Sequence, residues 1–140
     1  MPGKAVVLDA NILIRAVLGQ RVRNILEAHA DKISFIVPET AYLEAEQHLA
    51  TLVVKRGGDP LKALESLRSM AELCTVVGQD NYGHFESAAR TRIGARDADD
   101  WPVLAAALAL GCPIWTEDLD FFGCGVATWT SAGIATFLGE

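Results

Sequence analysis

Val6-Val7-Leu8-Asp9-Ala10-Asn11-Ile12-Leu13-Ile14 is the stretch whose reading decides the fold. Val6 to Leu8 is a short β-branched apolar run of the kind that forms a buried strand, and it hands over at once to polar residues and a helical pattern. Asp9 therefore stands at the carboxyl end of the strand, and Asn11 is placed to cap the helix that follows. Helical periodicity runs over about residues 12 to 29, interrupted by Gly19. Ile33 to Val37 is a second strand, and Pro38, with a fixed φ and no N–H, suits a helix start.

The same grammar repeats to the end of the chain. Glu39 to about Arg56 reads as a long helix stopped by Gly57-Gly58, and Asp59-Pro60 opens another that reaches about Glu72. Cys74 to Val77 reads as a short strand, Asp80 to Ile93 as a helix, and Gly94 to Asp99 as a polar connection. Asp97 or Asp99 caps a helix that continues to Leu110, where Gly111 stops it. Pro113 to Thr116 and Val126 to Trp129 are the last strands. Short apolar strands alternating with helices longer than ten residues imply βαβ units around a parallel sheet, an α/β fold.

The 140 residues suit one domain, residues 1–140, with no repeat and no long linker. A chain of this length buries roughly two-thirds of its unfolded surface without help from disulfides or a structural metal. Cys74, Cys112 and Cys124 are odd in number and widely spaced, which predicts reduced thiols rather than a disulfide framework or zinc site. No segment has the length or flanks of a signal peptide or a membrane span, so a cytoplasmic protein is expected. The net charge of −6 argues against tight nonspecific nucleic-acid binding. It does not exclude a nuclease, since an acidic site that binds cations inverts its local field.

Function in an open parallel sheet collects at the carboxyl ends of the strands. Asp9 follows the first strand and Asp118 lies two residues beyond Thr116, so both emerge on one edge. Asp100 opens the crossover helix into that last strand pair, and the segment from 77 to 97 returns the chain to the same edge. Each acid also has a plain structural reading as a turn or capping residue. On the helix from Glu39, periodicity leaves Glu44 at the border of the apolar face and Glu46 within it.

Four motifs in this order carry a family resemblance: Val-Leu-Asp9-Ala-Asn11-Ile-Leu-Ile, Pro38-Glu-Thr-Ala-Tyr-Leu-Glu44, Asp99-Asp100-Trp-Pro-Val-Leu-Ala-Ala-Ala, and Trp115-Thr-Glu-Asp118-Leu-Asp120-Phe-Phe. Together they resemble the PIN-domain family, including the VapC-type toxin ribonucleases of toxin–antitoxin pairs. The resemblance implies a three-layer α/β/α sandwich with a central parallel sheet and a metal-dependent phosphodiesterase site. It assigns Asp9, Glu44, Asp100 and Asp118 as catalytic residues and metal ligands, with Asn11 and Thr116 in support. It selects Glu44 over Glu46 and Asp100 over Asp99, leaving Asp99 as the cap and Asp97 as a spare. Asp120 is a candidate water-mediated ligand or a solvated turn acid, and Glu117 reads as a surface residue.

Oxygen donors of this kind suit Mg²⁺ or Mn²⁺, one or two ions. The resemblance further implies an RNA substrate, a cognate antitoxin, a homodimer and no membrane partner. The run from Gly57 to Glu72 extends beyond compact toxin forms. Arg15, Arg90, Arg92 and Arg96 are candidate RNA contacts, each with ordinary surface charge as the competing reading. His29, His48 and His84 share no spacing with a nucleophile, and His48 lies one turn beyond Glu44. Trp101, Trp115 and Trp129 read as packing residues, and the glycines after Phe122 as hinges of a tight loop. Competing functions are an RNA-processing or DNA-flap nuclease of the same fold and a noncatalytic binding domain. A phosphoacceptor domain fits poorly, for want of paired acids after the first strand and a later lysine.

Overall fold

A computed structural model describes residues 3–94, 96 and 98–139. The elements follow in order as β1 (Ala5–Leu8), α1 (Ala10–Leu18), α2 (Arg21–His29), β2 (Ser34–Pro38), α3 (Glu39–Lys55), α4 (Pro60–Ala71) and β3 (Thr75–Val77). The second half adds α5 (Gln79–Tyr82), α6 (Glu86–Ile93), α7 (Trp101–Leu110), β4 (Ile114–Trp115), β5 (Thr128–Trp129) and α8 (Ile134–Leu138). The five strands form one sheet in the order β3-β2-β1-β4-β5, every pair parallel. Helices flank this central sheet, as the alternation of short strands and long helices requires.

The strand order carries the functional consequence. From β1 the chain builds outward through β2 and β3, then returns to lay β4 and β5 on the other side of β1. The order therefore reverses between β1 and β4, and the crevice outside the carboxyl ends of two such strands is where α/β sheets bind ligands. Val7 pairs with Ile114 and Leu8 with Trp115, which brings Asp9 level with Thr116. The Asp9 N–H donates to the Trp115 carbonyl at 3.2 Å, and the Thr116 N–H to the Trp129 carbonyl at 3.0 Å.

Val6, Val7 and Leu8 are completely buried, so β1 is the spine of the core. Helix α7 is apolar all round and its residues 101 to 107 are buried, as a helix packed on several sides must be. Trp115 packs on Phe35 with ring centroids 6.2 Å apart, and Trp101 meets Tyr82 edge-on at 5.8 Å. Trp129 lies 6.0 Å from Phe137 of α8. All three tryptophans thus pack within the fold.

Several boundaries differ from the sequence expectation for local reasons. Gly19 does end α1, and its N–H caps the helix on the Arg15 carbonyl. The helix expected over 80–93 is divided at Gly83–Phe85 by a 3-10 turn. Asp9, rather than Asn11, occupies the N-cap of α1, its side chain accepting from the Ala10 N–H. At α7 the capping residue is Asp100 and no side chain caps the helix, because Asp99 lies in the preceding 3-10 turn of Ala98–Asp100. Asp97 lies outside the described residues. Helix α8 carries too short a pattern to stand out in the letters. Gly111 takes the left-handed conformation that stops α7, as expected.

No helix among the described residues is long and apolar enough to cross a membrane. The three cysteines are free. Burial pushes the Cys74 thiol up to about 12, and the Cys112 thiol to about 11 against a lowering hydrogen bond from the Val7 backbone. Both thiols are therefore protonated in the folded protein at pH 8, and the thiolate is the reactive form. Iodoacetamide at pH 8 is expected to modify Cys74 and Cys112 far more slowly in native protein than in urea, read by mass spectrometry of time points. Equal rates in the two states would contradict the burial described.

Candidate functional site

A cavity of about 480 Å³ opens at the carboxyl edge of β1 and β4. Its walls carry the carboxyl groups of Asp9, Glu44, Asp99, Asp100 and Asp118, together with Asn11, Ile14, Gln47 and His48. Each acid arrives from a different element. Asp9 ends β1, Glu44 lies on α3, Asp99 and Asp100 lead into α7, and Asp118 follows β4. The four acids singled out from the sequence are thus brought to one cavity.

Asp9 is 5% exposed and Asp100 8%. A carboxylate so withdrawn from water is tolerable only if its oxygens are hydrogen-bonded. Asp9 Oδ1 accepts from the Ala10 N–H at 2.8 Å, while Oδ2 accepts from Asn11 Nδ2 at 2.9 Å and from the Thr116 hydroxyl at 2.8 Å. The Thr116 Oγ1 in turn accepts from Asn11 Nδ2 at 3.1 Å and from the Asp118 N–H at 2.9 Å. Asn11 Oδ1 closes the network by accepting from the Glu117 N–H at 3.1 Å. One amide and one hydroxyl therefore tie the turn after β1 to the turn after β4, and fix Asp9 and Asp118 relative to each other.

Asp118 caps the short 3-10 turn of Leu119–Phe121, its Oδ1 accepting from the Asp120 N–H at 2.9 Å. Asp120 supports the site through that backbone group, and its own carboxylate is not on the cavity wall. Glu117, expected at the surface, is half-buried and accepts from the Ser131 N–H at 2.6 Å. Trp115 Nε1 donates to the Ser131 hydroxyl at 3.1 Å, so this acid braces the segment behind the site.

Glu44 lines the cavity and Glu46 does not. Glu46 faces Tyr42, whose phenol is raised by burial first and by Glu46 second, with Arg68 opposing. Sequence reasoning leaves Gln47 unremarked and notes His48 only as lying one turn beyond Glu44. Both line the wall, three and four residues beyond Glu44, the spacing that shares a helix face. Among the described residues no lysine or arginine lines this cavity. Carboxylates gathered without a cation on the same wall repel one another and attract protons or metal ions. No group of three or more His, Cys, Asp and Glu side chains among the described residues is arranged to hold a metal by itself.

A family model of the PIN domain matches residues 7–138, nearly the whole chain. The chain belongs to the PIN-domain family. Solved structures agree on the PIN-domain fold. VapBC2 from Rickettsia felis bound to a DNA fragment from its promoter has a chain 15% identical, with TM-score 0.65 over 90% of this chain and 98% of that one. A toxin–antitoxin complex from Klebsiella pneumoniae gives 17%, 0.67, 90% and 97%. PAE2754 from Pyrobaculum aerophilum gives 14%, 0.74, 98% and 90%. At these identities the likeness shows the fold. No curated protein matches the sequence.

The arginines of this PIN domain are mostly committed to structure. Arg90 pairs with Glu86 at 2.7 Å and lies over the Trp101 ring at 5.2 Å. Arg92 donates to the Cys124 carbonyl at 3.1 Å, and Arg96 to the Phe122 carbonyl at 2.7 Å and Cys124 Sγ at 3.1 Å. Gly123 and Gly125, at φ +88° and +84°, let the loop turn around these two guanidinium groups. None of the three lines the acidic cavity. Arg15 instead lines an adjoining one, which shares Ile14 with the acidic cavity.

The Thr116 hydroxyl is the junction of this network. Thr116→Val keeps the shape and leaves the Asp118 N–H and an Asp9 oxygen short of a partner, at an expected cost of about 1–3 kcal/mol. Urea unfolding of Thr116→Val against Thr116→Ser checks this, with the serine variant close to the parent. A valine variant as stable as the parent would contradict the role described.

Proposed function

We propose that this PIN domain is a metal-dependent endoribonuclease and the toxin component of a prokaryotic toxin–antitoxin pair. The observation that supports it most is the set of carboxylates from four separate elements on one cavity wall at the β1/β4 switch point. The donors are oxygens throughout on Asp9, Glu44, Asp100 and Asp118, the chemistry preferred by Mg²⁺ and Mn²⁺. Mg²⁺ keeps several waters and takes one or two carboxylates directly, so a wall of acids that does not close into a tight protein cage suits a hydrated ion. Asp9, Glu44, Asp100 and Asp118 would hold one or two such ions, with Asn11 and Thr116 orienting Asp9.

When bound, the metal supplies charge neutralisation at a scissile phosphate and lowers the pKa of an attacking water. The chain's own residues supply position. The hydrogen bonds on Asp9 hold its carboxylate in one orientation, and the Asx cap holds that of Asp118. Preorganised groups of this kind avoid reorganisation at the moment of reaction. Glu44 reaches the cavity from α3, an element separate from the strand ends that carry Asp9 and Asp118. The toxin role draws on the Klebsiella toxin–antitoxin complex, which contains a chain of this fold. A cognate antitoxin and a homodimer are part of the same proposal.

Cleavage of a pool of structured and single-stranded RNA is the test, with Mg²⁺, Mn²⁺ or chelator. Asp9→Asn and Asp100→Asn are expected to remain folded and to lose activity by about 100-fold or more, since removing even the partners that orient metal ligands commonly costs about 10–100-fold. Chelator is expected to abolish cleavage by the parent protein. Metal-independent cleavage, or full activity in both variants, would overturn the reading.

A further inference from the structure

Arg92 and Arg96, candidate RNA contacts by sequence, are both committed to one loop. Arg96 stands four residues before Asp100, in the short connection between α6 and α7. Its Nε donates to the Ile93 carbonyl at 3.1 Å and Nη2 to the Arg92 carbonyl at 3.0 Å, so the guanidinium finishes the end of α6. The same group reaches across to the loop that follows Asp118. It donates to the Phe122 carbonyl at 2.7 Å and to Cys124 Sγ at 3.1 Å. Arg92 adds a bond to the Cys124 carbonyl at 3.1 Å. Arg96 alone thus makes four hydrogen bonds within the protein, which occupy most of the N–H donors of a guanidinium and leave little for a phosphate.

The loop passes this hold on to a carboxylate. Cys124 Sγ donates to the Asp120 carbonyl at 3.6 Å, and the Asp120 N–H donates to Asp118 Oδ1 at 2.9 Å. Phe121, fully buried, anchors the turn between them in the core. Gly125 is fitted to the same clamp: at φ +84°, a Cβ there would stand 2.5 Å from Arg92 Nη1. A side chain at position 125 would push that guanidinium off its acceptor. Arginine suits the post because its planar fork holds two segments at fixed angles, which a flexible ammonium does not.

We propose, resting on the metal-site reading above, that Arg92 and Arg96 are positioning residues of that site: they fasten the stretch that delivers Asp100 to the loop that orients Asp118, and so set the spacing of two carboxylates around one divalent cation. Asn11 and Thr116 tie Asp118 to Asp9 from the strand side. The two arginines tie it to Asp100 from the helix side. Groups that orient metal ligands commonly contribute about 10–100-fold to metal affinity. The sign of the effect separates this role from plain electrostatics. A cation near a set of carboxylates weakens their attraction for another cation, so removing it by charge alone tightens metal binding. Loss of a positioning residue loosens it.

Mn²⁺ titration of the full-length protein, read from the free-ion signal in electron paramagnetic resonance, tests the assignment. Arg96→Gln is expected to weaken binding by about tenfold. Gly125→Ala, which displaces Arg92 without altering any charge, is expected to weaken it as well. Gly111→Ala introduces an alanine at φ +64° with nothing near its Cβ, and is expected to leave the affinity unchanged. In the metal-free protein, hydrogen exchange at the Asp120 amide is expected to quicken in Arg96→Gln and Gly125→Ala and not in Gly111→Ala. Tighter or unchanged Mn²⁺ binding in Arg96→Gln and Gly125→Ala would overturn the positioning role and leave the metal site standing. Equal weakening in Gly111→Ala would overturn it too. No Mn²⁺ binding by the folded parent protein would instead remove the metal-site reading, and the positioning role with it.

Discussion

Strands β1 and β4 lie side by side, in parallel, at the point where the strand order turns back on itself, and everything at the site depends on that adjacency. The first and fourth strands are more than a hundred residues apart in sequence, yet their carboxyl ends open onto the same crevice. The cost of closing so long a loop grows only slowly with length. The burial of Val6 to Leu8 and of the apolar helix α7 offsets it. Once the strands are paired, Asn11 and Thr116 need only short reaches to lock the two turns and to hold Asp9 with three hydrogen bonds.

That arrangement concentrates carboxyl groups where simple stability would disperse them. Asp9 and Asp100 are withdrawn from water, and no lysine or arginine shares their cavity among the described residues. Local violations of the rules for a stable interior gather at functional sites, where the rest of the fold outweighs their cost. The arginines lie elsewhere. Arg92 and Arg96 organise the loop around Cys124, and Arg90 lies over Trp101. Arg15 and Lys55 line other cavities, each of which shares Ile14 with the acidic one.

Much of the fold was legible because its signals are local. A β-branched run ending in Asp9, proline after Val37 and after Asp59, and glycine at 57 and 111 each mark a boundary by short-range sterics or capping. The strand-end rule then located Asp9 and Asp118 on one edge, and the motif spacing chose Glu44 and Asp100. What remained hidden is long-range. The half-burial of Glu117 depends on Ser131, and the engagement of Arg96 on the carbonyl of Phe122, contacts that leave no periodic trace. Asn11 reads as a cap because capping is the commonest work of asparagine at that position, whereas its amide bridges to Thr116. Gln47 and His48 were hidden for another reason: polar residues on a helix border look alike whether they face solvent or a cleft.

The central claim is that the carboxylates of Asp9, Glu44, Asp100 and Asp118 act together on a bound divalent cation. Titration with Mn²⁺, followed by the relaxation rate of water protons, measures that binding without reference to any RNA. The account predicts saturable binding by the parent protein and weaker binding, by about tenfold or more, in single Asp→Asn or Glu→Gln variants at the four positions. Absence of binding in a folded parent protein, or affinity that none of the four substitutions alters, would contradict it.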